Sequence, residues 1–234
     1  MASPTPSSSD HFLNASSPAP ATTPAAPSPS DSTRPAFVVR PARTPAELRT
    51  VADLFRGYAA WLAIDLSFQS FESELASLPG KYAPGKGGEI LLAYLLSDSA
   101  DGEETEEAVG CIALRDITDG VGAFRAAAGD DDASAQQQQR SARRIGEFKR
   151  LYVLPTGRSL GIGNALVERA IEVAREQGYA EVLLDTLPRM QGALKLYKRH
   201  GFRETEKYYD TDLEGTIFMS YSFTACSGVR VTRG

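Results

Sequence analysis

Residues 151–164 read LYVLPTGRSLGIGN and organise the elements around them. An apolar strand ends at Pro155, a turn follows, and a helix opens at Gly161 and Gly163. The first amides of a helix have no partner within the helix and point outward with the positive end of its dipole. Glycine at these positions removes the Cβ that would keep a ligand from the backbone, and Arg158 adds a positive charge. The stretch therefore predicts a phosphate or pyrophosphate site.

The spacing of the glycines excludes two common phosphate-binding motifs. A Walker A loop needs Lys followed by Ser or Thr directly after its last glycine, and neither Gly161 nor Gly163 is followed by that pair. A Rossmann fingerprint needs a third glycine where Leu166 stands. The pattern that remains is R-x-x-G-x-G between a strand and a helix.

The hydrophobic pattern predicts strands and helices on both sides of this stretch. Before it, Thr44, Pro45 and Glu47 have the spacing of a capping box, and the helix continues through Phe55. Because several neighbouring strands are joined by loops alone, we expect an α/β fold with a mixed sheet and helices on both faces. Further helices are predicted at 68–78, 160–177 and 191–200, and strands at 36–40, 89–96, 108–116, 148–154, 181–187, 202–207 and 216–223.

The overall composition is that of a soluble globular protein. The 234 residues are 24% charged and 42% hydrophobic, with a net charge of −5. The negative balance argues against a nucleic-acid partner, and no apolar run reaches the roughly 18 residues of a membrane span. Cys111 and Cys226 are too few for a disulfide framework or a zinc site. We therefore expect no metal and a cytoplasmic protein, with a nuclear location as the alternative.

The composition changes near residue 36. Residues 1–35 hold eight of the 14 prolines and little apolar surface, so we expect a disordered tail that is not a signal peptide. A single domain is expected over 36–225, with a flexible insertion at about 126–144 and a tail at 226–234. The acidic residues 98–107 are expected to form a solvated turn.

Four segments share their order and spacing with one known family. They read EFKRLYV at 147–153, RSLGIG at 158–163, LDTL at 184–187 and ALKLYKRHGF at 193–202. Together they resemble the GNAT superfamily of acetyl-CoA-dependent N-acetyltransferases, and a looser similarity covers 36–223. The resemblance implies a mixed, mostly antiparallel central sheet flanked by helices and splayed between strands 147–154 and 181–187. It also implies transfer of an acetyl group from acetyl-CoA to a primary amine of a small molecule or protein.

The same resemblance implies where acetyl-CoA binds. The backbone of strand 147–154 would bind the pantetheine arm, the loop amides the pyrophosphate, and the start of the later helix would complete the site. The residues implied are Leu151, Tyr152, Val153, Arg158, Ser159, Leu160, Gly161, Ile162, Gly163, Asn164, Gln191 and Ala193.

Attack of a neutral amine on a thioester needs a base for the amine and an acid for the departing thiolate. Tyr197 is the candidate acid, since a phenol with a pKa near 10 can protonate a thiolate of similar basicity. The alternative is a core aromatic beside Phe202. Glu147 is the candidate base, because it precedes Val153 by six residues on one strand and should share its face. The alternative is a surface glutamate paired with Lys149 or Arg150.

Other polar and aromatic residues have two interpretations each. Asp185 either orients the substrate or ends a buried strand, His200 is expected to be a cap or surface residue, and Trp61 is expected in the core. Residues that either line the acceptor pocket or pack are Tyr82, Tyr208, Tyr209 and Asp210.

The alternative function is a non-catalytic acyl-CoA-binding or interaction module, and transfer to a non-amine acceptor is a third hypothesis. The identity of the amine stays open. Edge strands of such sheets commonly pair, which allows a homodimer.

Overall fold

The computed structural model describes residues 35–63, 70–98, 104–127 and 143–223. The tail expected at 1–35, the insertion at 126–144 and the tail at 226–234 lie almost entirely outside these residues. The helices are α1 (Pro45–Leu62), α2 (Phe71–Ala76), α3 (Thr118–Ala127), α4 (Ile162–Glu176) and α5 (Gln191–Arg199). The strands are β1 (Phe37–Pro41), β2 (Glu89–Asp98), β3 (Glu104–Asp116), β4 (Ile145–Val153), β5 (Glu181–Thr186), β6 (Arg203–Glu204) and β7 (Ile217–Ser222).

The strands form a seven-stranded sheet in the order β1-β2-β3-β4-β5-β7-β6. Every neighbouring pair is antiparallel except β4 and β5, which are parallel. Residues 145–147 of β4 pair with 181–183 of β5, and beyond them the two strands separate. The mixed, mostly antiparallel sheet and its splay between these strands are therefore confirmed.

Helices cover both faces of the sheet, as expected. In β2, Leu91 and Ala93 belong to the apolar cluster beneath α4, which we call the α4-side cluster. The intervening Ile90 and Leu92 belong to the cluster beneath α1, the α1-side cluster. This alternation is the period of two that a strand buried on both faces requires. The capping box of α1 is confirmed, since the Thr44 hydroxyl accepts from the amide of Glu47 at 3.2 Å.

The pairing of β3 with β4 shifts by one residue in the middle of β4. Lys149 lies opposite Ala113, but Tyr152 lies opposite Cys111, so β4 has one residue more than β3 in this interval. The extra residue is accommodated at Arg150, which has a left-handed φ of 60°. An inserted residue of this kind is a β-bulge.

The bulge reverses the face that each later residue of β4 occupies. Glu147 lies opposite Arg115, which continues the alternation of Cys111 and Ala113 on the α1 side. Val153 instead packs against the α4-side cluster. The expectation that Glu147 and Val153 share a face is wrong, because strand alternation holds only where no residue is inserted.

Two regions differ from the sequence expectations. Half of the acidic stretch 98–107 is strand, because β2 runs to Asp98 and β3 begins at Glu104, and residues 99–103 lie outside the described part of the chain. Arg40 of β1 pairs with Glu106 at 2.7 Å and balances one of the acidic charges. Helix α3 was not expected, since Gly120 and Gly122 weaken the helical pattern. Among the helices that the structure describes, none is long and apolar enough to cross a bilayer.

Candidate active site

The loop before α4 presents unpaired backbone amides. Residues Pro155–Gly157 form a 3₁₀ turn, and the amide of Arg158 donates to the carbonyl of Pro155 at 3.2 Å. The next amide to donate to a backbone carbonyl is that of Ala165, which bonds Gly161 at 3.1 Å. Within this described loop, the amides of residues 159–164 therefore bond no backbone carbonyl, and they lie where the helix dipole is positive.

The glycines of this loop differ in the space that surrounds their Cβ positions. A Cβ at Gly161 would meet no atom within 4 Å, and its φ of 91° is one that other residues rarely adopt. A Cβ at Gly157 would lie 3.0 Å from Val153, so Gly157 lets the turn pack closely on β4. A Cβ at Gly163 would make an ordinary contact with Leu196 at 3.5 Å. Open space beside bare amides is what an anionic pyrophosphate requires, and these residues fit one.

Arg158 lies beside the loop with its side chain folded back. Its Nε donates to the carbonyl of Val153 at 3.2 Å, and its guanidinium lies 5.7 Å from the Trp61 ring centre. Trp61 was expected in the core, but it is 49% exposed. It lies in the last turn of α1, and the rings of Tyr58 and Tyr152, at 6.5 and 6.3 Å, pack against it.

A cleft opens where β4 and β5 separate. Its polar lining comes from Tyr58, Lys149, Arg150, Asp185, Thr186 and Tyr197. The rest of its wall is apolar and includes Leu62, Leu151 and Met190. The cleft therefore joins side chains of α1, β4, β5 and α5, and the anion-binding loop follows directly from the end of β4.

Tyr197 packs in the core and also lines the cleft, and its role as the acid stays a prediction. Its ring is buried in the α4-side cluster, 5.7 Å from that of Phe202, yet the residue also lines the cleft. No described side chain or backbone group hydrogen-bonds its hydroxyl, and burial raises the pKa of that hydroxyl above its ordinary value. Tyr58, Asp185 and Lys149 lie close enough to influence it electrostatically.

Glu147 lies behind the cleft and does not line it. Its carboxylate is 0% exposed and accepts hydrogen bonds from Arg115 Nε and from the Tyr208 hydroxyl, the latter at 2.8 Å. Lys149 Nζ is 3.9 Å away. The alternative of a surface glutamate is wrong, because Glu147 is fully buried among Arg115, Tyr208 and Lys149. The base role stays a prediction, and Glu147 reaches the cleft only through neighbouring groups.

Lys149 and Asp185 form an ion pair inside the cleft, with Nζ and Oδ1 2.8 Å apart. Burial alone would lower the pKa of Lys149, but the charges of Glu147 and Asp185 outweigh burial and raise it. Burial would raise the pKa of Asp185, but Lys149 outweighs it, and the pKa is lowered. Both groups are thus charged at neutral pH. Asp185 faces the cleft and does not merely end a strand.

A second buried ion pair fixes the bulge. Arg150 Nε lies 3.0 Å from Glu74 Oε1, and both side chains are 3% exposed. Glu74 also accepts from Lys81 Nζ at 2.6 Å and from the Tyr82 hydroxyl at 3.0 Å. Tyr82 is therefore a packing residue whose hydroxyl is already engaged. Burial would raise the pKa of Glu74, but Arg150 and then Lys81 lower it to about 2.

We expect Glu74 to contribute stability that is lost in acid. Its folded pKa of about 2 lies below the ordinary value near 4.3, so the contribution is present above about pH 5 and declines as the pH falls toward 2. Urea unfolding of the wild type and Glu74→Gln at pH 6 and pH 3 measures it. The advantage of the wild type should shrink at pH 3, and an equal difference at both pH values would contradict the assignment.

The remaining expected cofactor residues act mainly through backbone or packing. Ile162 is fully buried and Tyr152 packs into the α1-side cluster, so neither side chain faces the loop opening. Gln191 Nε2 donates to the carbonyl of Pro188 at 2.7 Å, and Asn164 Oδ1 lies 3.0 Å from His200 Nε2. The half-buried residues that pack on the α4-side cluster are Leu151, Val153, Leu160 and Ala193.

Tyr58 was missed by sequence reasoning. It lies on α1 and lines the cleft, and in the described part of the chain its hydroxyl has no hydrogen-bond partner. Burial raises the pKa of that hydroxyl. Tyr58, Trp61 and Leu62 have helical i, i+3, i+4 spacing, which could have indicated one continuous face at the end of α1.

Comparison with known proteins agrees with this geometry. The model of the acetyltransferase (GNAT) family matches residues 81–202. An uncharacterized N-acetyltransferase of Dictyostelium discoideum is 36% identical over 67% of this chain and 85% of its own length. Another, of Schizosaccharomyces pombe, is 30% identical over 76% of this chain and 89% of its own length.

Solved structures share the fold at low identity. A GNAT-family acetyltransferase from Staphylococcus aureus superposes with a TM-score of 0.54 at 17% identity, covering 80% of this chain and 99% of that one. Arabidopsis thaliana NAA60 in complex with acetyl-CoA gives a TM-score of 0.52 at 17% identity, covering 80% and 98%. The family model and these two relatives together show that this chain belongs to the GNAT family of acetyltransferases.

Proposed function

We propose that this acetyltransferase moves the acetyl group of acetyl-CoA to a primary amine. The observation that carries the proposal is the row of bare amides at residues 159–164, with open space at Gly161, directly after the strand that walls the cleft. The complex of NAA60 with acetyl-CoA, which has the same fold, supports this choice of donor.

Two parts of the backbone would hold the donor. The amides of residues 159–164 would bind its pyrophosphate at the N-terminus of α4. The edge of β4 near Leu151 and Val153, from which β5 has separated, would bind the amide groups of the pantetheine arm. When bound, acetyl-CoA supplies the activated acetyl thioester.

Side chains of the cleft would donate a proton to the departing thiolate and accept one from the amine. The Tyr197 hydroxyl has no competing described partner and keeps its proton at neutral pH, so it can donate to a thiolate. For the amine, Asp185 is the carboxylate that lines the cleft, whereas Glu147 lies behind Lys149. Glu147 would therefore act on the amine only through a water or a neighbouring side chain.

Gly161→Val is expected to weaken acetyl-CoA binding about tenfold or more, a free-energy change of at least ~1.4 kcal/mol. The added side chain would enter the open space beside the bare amides. Titration calorimetry with acetyl-CoA measures the effect. Gly178→Val is the matched control, since Gly178 has a similar φ of 77° and an equally open Cβ position at the other end of α4.

Undiminished affinity in Gly161→Val, or an equal loss in Gly178→Val, would contradict the pyrophosphate placement. Release of free CoA across a panel of primary amines then tests the reaction itself. Binding of acetyl-CoA without turnover of any amine would favour a non-catalytic acyl-CoA-binding module.

A further inference from the structure

Two tyrosine hydroxyls of the cleft lack the acceptor that other buried tyrosines have. In the described chain, burial raises the pKa of several tyrosine hydroxyls, and most of them donate to a carboxylate or a backbone carbonyl. Those that do so are Tyr82, Tyr94, Tyr179, Tyr208 and Tyr209. The exceptions are Tyr58 and Tyr197, which both line the cleft. Because buried polar groups are normally hydrogen-bonded, these exceptions point to a partner from outside the chain.

Both hydroxyls are open to the cleft, and the ring of Tyr58 is held in place there. In the described residues, the side-chain atom that lacks a partner and is also sealed from solvent is Gln177 Oε1, and neither tyrosine oxygen shares that condition. The Tyr58 ring packs against Tyr152 and Trp61, at centroid distances of 6.2 and 6.5 Å. The guanidinium of Arg150 lies 5.9 Å from its centre. The hydroxyl of Tyr58 is therefore both accessible and pre-positioned.

The two hydroxyls reach the cleft from opposite faces of the sheet. Tyr58 packs on the α1-side cluster, whereas Tyr197 belongs to the α4-side cluster. The bare amides precede α4 and Val153 packs on the α4 side, so acetyl-CoA bound there would bring its sulfur to the cleft near Tyr197. The incoming nitrogen and the departing sulfur occupy different corners of the tetrahedral intermediate. The position left for the nitrogen is therefore on the side of Tyr58.

We propose that the Tyr58 hydroxyl positions the acceptor amine by accepting a hydrogen bond from its nitrogen. The inference rests on the proposed acetyl transfer. A neutral amine attacks through its lone pair, so its N–H groups remain available for binding. Burial keeps the Tyr58 hydroxyl protonated by raising its pKa, and a neutral hydroxyl has lone pairs that accept. Asp185, the carboxylate of the cleft, already interacts with Lys149 and Tyr209, whereas Tyr58 has no described partner.

Two CoA thioethers test the proposal without an identified amine and without turnover. S-carboxamidomethyl-CoA and S-acetonyl-CoA have the same carbonyl group and differ only in an amide NH₂ where the ketone has a methyl. The amide nitrogen lies close to where an attacking amine must stand. Calorimetry measures the affinity of each compound for the wild type and for Tyr58→Phe. The ratio of carboxamide affinity to ketone affinity should fall about fivefold in Tyr58→Phe, the factor that the ~1 kcal/mol of a neutral hydrogen bond produces.

Tyr94→Phe is the matched control, since Tyr94 packs in the same α1-side cluster but donates to Glu47 at 3.4 Å and does not line the cleft. Its ratio should equal that of the wild type. A merely structural role of Tyr58 would weaken both compounds alike and leave the ratio unchanged, which would overturn the proposal, as would an equal fall in Tyr94→Phe. Affinity for unmodified CoA separates the two hypotheses. Binding of CoA with an unchanged ratio would remove the Tyr58 assignment alone, whereas no binding of CoA would remove the donor site as well.

Discussion

Arg150→Ala is expected to destabilise the fold by up to about 3–5 kcal/mol, the cost of breaking a buried ion pair by removing one partner, with Lys81 left as the remaining cation beside Glu74. Arg150 and Glu74 are both 3% exposed and lie 3.0 Å apart. The same guanidinium also lies 5.1 Å from the ring centre of Phe71. Its loss would therefore remove both charge compensation and packing at the bulge of β4. Urea unfolding at neutral pH measures the change.

Two further variants distinguish the loss of the Arg150–Glu74 ion pair from a general effect of removing an arginine. Arg56→Ala removes an exposed arginine that pairs with the exposed Asp53, and we expect its unfolding midpoint to stay close to the wild type. Arg150→Met combined with Glu74→Leu removes both buried charges and should recover much of the loss. Wild-type stability in Arg150→Ala, or a double variant less stable than Arg150→Ala, would contradict the assignment.

The anion-binding loop could be predicted because its chemistry is local. Pro155, Gly161 and the start of α4 follow one another in the chain, so turn and helix-start preferences define their arrangement. The same holds for the capping box of Thr44 and Glu47. The resemblance of four segments adds the mostly antiparallel sheet and its splay, which local patterns cannot supply.

The position of Glu147 could not be predicted, because it depends on how β4 pairs with β3. The bulge at Arg150 is stabilised by Glu74, 76 residues earlier in the chain. No pattern within 147–153 indicates that partner. A count of strand residues therefore places Glu147 on the same face as Val153, which is the wrong face.

The cleft residues depend in the same way on contacts between distant segments. Tyr58 on α1 and Asp185 on β5 meet there only because β5 separates from β4 after residue 147. Trp61 is of a residue type that is usually buried, but it lies in the last turn of α1 and is 49% exposed, whereas its neighbour Leu62 is buried. Burial at a helix end is decided by what packs against it, which the helix sequence alone does not specify.

Tyr197→Phe is expected to lower kcat by about 10²-fold, the lower end of the range for general-acid catalysis. The change removes only the hydroxyl, and no described group hydrogen-bonds that hydroxyl in the folded protein. The ring keeps its packing 5.7 Å from Phe202 within the α4-side cluster. We therefore expect thermal stability and the acetyl-CoA dissociation constant to stay close to wild-type values. Steady-state CoA release, calorimetry and thermal unfolding measure the three quantities.

Tyr221→Phe is the matched control for this prediction. Tyr221 packs on the same Phe202 ring at 5.4 Å but does not line the cleft. Loss of its hydroxyl should leave kcat unchanged. Both variants remove one hydroxyl from a tyrosine that packs on Phe202, and only Tyr197 lines the cleft. A large fall in kcat for Tyr197→Phe alone would therefore assign the effect to the hydroxyl at the cleft. If kcat were unchanged in Tyr197→Phe, or fell equally in both variants, Tyr197 would be a packing residue and the acid would have to be sought elsewhere.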